Sequence, residues 1–95
     1  MDFVKKAINR KNNQEYTFCR FEDTAECITA MSDWLEKYNI DILTISYKNL
    51  KHVTGKFVDN GRTVVFDEGD YIVQGLGFHF HMYTEKEFFE EFYIV

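Results

Sequence analysis

One amphipathic helix stands ahead of a succession of short strand-like segments, and this order restricts the fold more than any other feature of the chain. Ile28, Met31, Leu35 and Tyr38 recur at spacings of three, four and three. That spacing predicts a helix over 24–38 with one buried face, Trp34 at its edge, and Asp33, Glu36 and Lys37 in water. Asp23-Thr24-Ala25-Glu26 reads as its capping box, with the Asp23 carboxylate accepting from the first-turn amides, and Asn39 as its stop. Beyond it the apolar period falls to two. Segments 40–47, 53–58, 63–66, 71–73 and 78–83 read as strands, with Leu43, Ile45 and Tyr47 sharing a face and Phe78, Phe80 and Met82 facing inward. Asp59-Asn60-Gly61-Arg62 is a hairpin turn, because Asn-Gly accepts the positive φ angles that tight hairpins need. Asp67-Glu68-Gly69-Asp70 and Gly75-Leu76-Gly77 are further breaks.

Ahead of the helix, 15–21 reads as a strand with aromatic residues on both faces, hence burial on more than one side. Residues 2–10 read as a short helix from the partial i, i+4 spacing of Phe3, Ala7 and Ile8, ended by Asn12-Asn13. Thr84-Glu85-Lys86-Glu87 is a second capping box, opening a short helix whose Phe88, Phe89 and Phe92 dock on the sheet. The expectation is an α+β single domain, with a mainly antiparallel sheet, one long helix and short terminal helices on one side. Residues 1–13 would form a basic N-terminal helical extension and 14–95 the α+β core.

A chain of 95 residues suits one domain, and it contains no proline and no low-complexity linker. Ten Phe, six Tyr and one Trp are more than so small a core hides, so some should line a groove or interface. No run approaches the ~20 apolar residues of a membrane span, and the start lacks the apolar stretch of a signal peptide. The expected location is the cytoplasm, with Cys19 and Cys27 as reduced core thiols.

The formal net charge is −5, unevenly spread. Lys5, Lys6, Arg10 and Lys11 against Asp2 give the first thirteen residues +3, whereas 67–95 carry −6, with Lys86 the one cation. Such a surface repels nucleic acid and attracts a basic protein groove. It also serves solubility. The four N-terminal cations could contact phosphates, but the acidic remainder argues against direct nucleic-acid binding.

Catalytic signatures are missing from the sequence. Ser32 and Ser46 have no elbow motif, Cys19 or Cys27 with His52 has no dyad signature, and Gly75-Leu76-Gly77 leads into a strand rather than a phosphate-binding helix. His79 and His81 would share a strand face and could hold a metal or small ligand, but a third metal ligand among His52, Asp67 and Asp70 is not selected by spacing. The acidic turn is too short for an EF-hand loop. The expectation is therefore a non-enzymatic protein without catalytic residues, metal or cofactor. Its candidate partner-binding surface is Asp67, Glu68, Asp70, Glu85, Glu87, Glu90 and Glu91, with exposed aromatics as anchors. The same carboxylates also suit capping and the helix dipole.

The segment Glu68-Gly69-Asp70-Tyr71-Ile72-Val73-Gln74-Gly75, then Phe80-His81-Met82-Tyr83, then Glu87-Phe88-Phe89-Glu90-Glu91-Phe92-Tyr93, resembles a set of small bacteriophage and prophage proteins of unknown function. The front half is similar too, with Thr17-Phe18-Cys19-Arg20-Phe21 ahead of the helix bearing Trp34-Leu35. The likeness covers roughly residues 15–95. The chain departs from the pattern in its basic start and in Gly77-Phe78-His79-Phe80-His81, which replaces a shorter linker. The resemblance implies a phage origin and a scaffold with a variable surface, and it carries over no catalytic residue. Joined to the acidic surface, it implies a protein that binds and inhibits a host protein, such as a bacterial defence nuclease, by occluding its basic groove (an anti-CRISPR or anti-restriction role). A self-associating phage accessory, as a homodimer, is the alternative, beside the ligand-binding use of His79 and His81.

Overall fold

The computed structural model describes residues 3–40, 43–49, 52–75 and 79–95. Their order is β1 (Val4–Asn9), β2 (Glu15–Arg20), α1 (Ala25–Glu36), β3 (Leu43–Asn49), β4 (His52–Asp59), β5 (Arg62–Asp67), β6 (Tyr71–Gln74), β7 (Phe80–Tyr83), α2 (Glu85–Glu91) and β8 (Phe92–Ile94). The strands make two antiparallel sheets, one ordered β7-β6-β2-β1-β8 and one ordered β3-β4-β5. The α+β class with antiparallel pairing is as the sequence predicts.

Alternation along the five-stranded sheet explains its burial on both faces. Cys19, Ile72 and Phe80 join α1 residues Cys27, Met31, Trp34 and Leu35 and three-stranded-sheet residues Phe57, Val64 and Phe66 in one core. Their strand neighbours Phe18, Tyr71 and Val73 point the other way, into a second core with Phe88 and Phe92. The aromatic residues of 15–21 are thus accounted for, Tyr16 and Phe18 in the second core and Phe21, just past β2, in the first. The two helices consequently lie on opposite faces of this sheet rather than on one side, and α1 is only 12 residues long.

The N-terminal segment departs most from its sequence reading. Residues predicted as a basic helical extension form β1, held between β2 and β8. An isolated helix of this length is marginal, whereas a strand paired on both sides satisfies its backbone twice. The Asn12-Asn13 pair is a hairpin turn, not a helix end. Asn13 takes φ 57°, and the Asn9 side-chain oxygen accepts from the amides of Lys11 (2.9 Å) and Asn12 (3.2 Å).

Local signals elsewhere hold, with small changes. Thr24, not Asp23, caps α1, its hydroxyl accepting from the Cys27 amide at 3.1 Å. Asn39 stops the helix region at φ 65°. Asn60 and Gly61 both adopt positive φ (51° and 80°), as the hairpin between β4 and β5 requires. Thr84 and Glu87 form the capping box of α2. Phe80 is fully buried, but Met82 is 39% exposed, because β7 is an edge strand of its sheet. Phe78, Leu76, Gly77 and the side chains of Leu43 and His52 lie outside the described residues.

Gly55 on β4 is required by packing. It pairs with Phe66 on β5, and a Cβ there would lie 2.5 Å from Phe66 Cζ. That ring also packs edge-on to Phe21, with centroids 5.0 Å apart, so it has little room to yield. Gly55→Ala should cost about 1–3 kcal/mol by overpacking. Urea unfolding checks this, and a variant as stable as the parent would show that the ring moves freely.

Candidate functional site

The fold brings part of the predicted acidic surface together. The 67–70 turn and the start of α2 are distant in sequence but adjacent in space. Burial, and then the charges of Asp67 and Glu87, push the Asp70 carboxyl above the usual carboxylate range, against a lowering bond from the Asp67 amide (2.8 Å). Glu85 lies close enough to Tyr71 to raise its hydroxyl, a smaller influence than burial. Among the described residues no lysine or arginine is ion-paired with Glu85, Glu87, Glu90 or Glu91. Beside them Phe89 stays 39% exposed while packing edge-on to Tyr71 and Phe88.

Other members of the predicted set have local duties. Glu68 accepts from the Asp23 amide at 3.1 Å, tying the turn to the entry of α1. Asp67 accepts from the Thr54 hydroxyl at 3.1 Å. The Glu87 carboxylate accepts from the Thr84 amide (2.9 Å) and the Glu87 amide donates to the Thr84 hydroxyl (3.3 Å), and Thr84 holds the carboxyl below the usual range. Burial, and then the charge of Glu91, raise the Tyr83 hydroxyl above its usual value. Glu85 and Glu90 have no such role and are the freest charges of the group. A second acidic concavity, an open groove of about 850 Å³ along α1, is lined by Glu22, Glu26 and Asp33 with Phe3, Ala25 and Ala30.

Two of the four basic N-terminal side chains, Lys6 and Arg10, are tied into the fold. Lys6 pairs with Glu15 at 3.4 Å. Arg10 reaches the C-terminal end of α2, donating to the Phe89 carbonyl from Nε (3.2 Å) and to the Glu91 carbonyl from its amide (2.7 Å), with its guanidinium over the Tyr93 ring. A cation at that helix end offsets the partial negative charge of the unpaired carbonyls.

His79 and His81 line a shallow cleft of about 350 Å³ with Asp59, Asn60 and Arg62. His79 precedes β7 rather than sharing the strand with His81. Its Nδ1 lies 3.8 Å from the Asp59 carboxylate and 3.4 Å from the Asn60 amide nitrogen. Among the described residues no three ligand-type side chains gather to hold a metal ion. Asp59 and Arg62 serve the backbone instead. The Asp59 carboxylate, 5% exposed, accepts from the Phe80 amide at 2.9 Å, and the Arg62 guanidinium donates to the Phe80 carbonyl. Together they occupy the edge of β7 that no strand pairs among the described residues. The sequence reading missed this role, since it took both residues only as flanks of a turn.

Burial first, then Arg62 and His79, lower the His81 imidazole below its usual value. The folded state therefore prefers neutral His81, so stability should fall as the pH drops below about 6.5, the ordinary value, toward the lower folded one. Urea unfolding at several pH values from neutral to mildly acidic checks this. His81→Gln should flatten the loss, and an unchanged slope would exclude His81 as its source.

Among the described residues no helix is long and apolar enough to cross a membrane. Comparison with known protein families, curated protein sequences and solved structures finds no match for this chain.

Proposed function

We propose that this chain is a small acidic interaction protein of phage type, acting in the cytoplasm of a host cell. It binds a host protein through the 67–70 turn and α2, and inhibits it by covering a basic groove. A bacterial defence nuclease is the target class such a surface suits, since its groove for nucleic acid is basic. The observation that carries this reading is the set of carboxylates on α2 left without ion pairs beside the exposed ring of Phe89. The role is binding rather than catalysis, and it requires no cofactor.

The test is affinity capture from a bacterial lysate, followed by affinity measurement on the retained partner. Glu85→Lys with Glu90→Lys removes the freest charges without touching the capping box. It should weaken binding on the order of tenfold or more, while added salt weakens the parent complex. Unchanged affinity with an intact circular dichroism spectrum would remove the electrostatic basis of the proposal.

Self-association is a second reading, favoured by one feature. β8 is an edge strand whose Tyr93 and Ile94 are 43% and 47% exposed. Mass measurement across concentrations separates a dimer from a monomeric inhibitor.

A further inference from the structure

Cys19 and Cys27 are both fully buried, and neither is bridged. They come from different elements, Cys19 from β2 and Cys27 from the first turn of α1. The two sulfurs converge on one group, the Arg20 carbonyl oxygen, at 3.8 Å and 3.4 Å. Each thiol also perturbs the ionisation of the other. The environment treats them unequally. The neighbouring Cys19 thiol, with the Glu22 amide (3.3 Å) and the Arg20 charge, draws Cys27 below the usual thiol value against the effect of burial. Cys19 is pushed up by its Cys27 neighbour and by burial. A position in the first turn of a helix favours a thiolate further.

The geometry points to an oxidative modification site: Cys27 is the attacking thiol, Cys19 the resolving thiol, and a small hydroperoxide the oxidant. The Cys27 thiolate attacks a peroxide oxygen, forming an S–O bond as the O–O bond breaks and hydroxide leaves to become water. The Cys19 sulfur then attacks the Cys27 sulfenic sulfur, forming the S–S bond and releasing a second water that carries the Cys19 proton. Two thiols lose two electrons, and one hydrogen peroxide becomes two waters. An uncharged oxidant little larger than water suits thiols with no exposed surface. The product would staple the N-terminus of α1 to the centre of the five-stranded sheet.

The test treats the folded full chain with hydrogen peroxide, then denatures it in an alkylating agent and measures intact mass. The expected result is a monomer lighter by two hydrogens, resistant to alkylation until reduced, with a peptide linking positions 19 and 27. The oxidised chain should keep its circular dichroism spectrum and melt at a higher temperature. Cys19→Ser should instead trap sulfenic acid at Cys27, detectable with a dimedone probe. Two thiols still alkylated after treatment would overturn the proposal. So would sulfinic acid at Cys27 with Cys19 free, or a disulfide that forms only in urea. The parent chain alone decides these outcomes if a variant does not fold.

Discussion

Phe80→Ala is expected to destabilise the fold by about 3–5 kcal/mol, the usual cost of emptying a buried phenylalanine site. Phe80 is fully buried at the junction of both sheets and α1. Its ring packs edge-on to Trp34, Tyr38 and Phe57, with centroids 5.1, 5.7 and 5.8 Å away. Trp34 lies on α1, Tyr38 just past its end and Phe57 on β4, so the rings cannot close the cavity without breaking other contacts. Thermal unfolding should show a melting temperature lower by about 15–30 °C for a domain of this size. Phe80→Leu fills more of the space and should lose less. A loss under about 1 kcal/mol for the alanine variant would mean that the core collapses around the gap.

Asp59→Ala is expected to cost about 2–3 kcal/mol, because it strands a buried amide. The Phe80 N–H has the Asp59 carboxylate as its partner, and among the described residues β7 has no neighbouring strand on that side. The carboxylate is itself buried, so water cannot readily replace it. Asp59→Asn keeps an acceptor oxygen and should recover at least half the loss. Equal losses for the two variants in urea unfolding would place the effect in the charge, through Arg62 and His79, rather than in the bond to the amide.

Both variants act on Phe80, one on its ring and one on its amide, and the sequence discloses only the parts of the second contact. Asp59 and Arg62 bracket an Asn-Gly pair, which specifies the tight turn locally through its positive φ angles. That the same residues should grip the backbone of Phe80, on a strand of the other sheet, depends on how the sheets meet. Residue spacing carries no such information. The acidic site divides in the same way. All seven carboxylates are visible as an acidic cluster, but their duties are set by neighbours in space. Glu68 turns to the amide of Asp23 and Glu87 to its cap, and Glu91 acts by its charge on Tyr83, leaving Glu85 and Glu90 uncommitted.

By itself, the sequence determined the α+β class, the place of α1, the hairpin at Asn60-Gly61, the capping box at Thr84 and the stop at Asn39. Each depends on residues within a few positions of one another, through backbone preference or a local hydrogen bond. Tertiary structure alone decided that Val4–Asn9 is a strand, since its pairing partners are β2 and β8, the latter from the far end of the chain. It also decided that the helices cover opposite faces of one sheet and that two cysteines from different elements converge on the Arg20 carbonyl. These outcomes are set by burial and backbone pairing between distant segments, which a local pattern of apolar residues permits but does not choose.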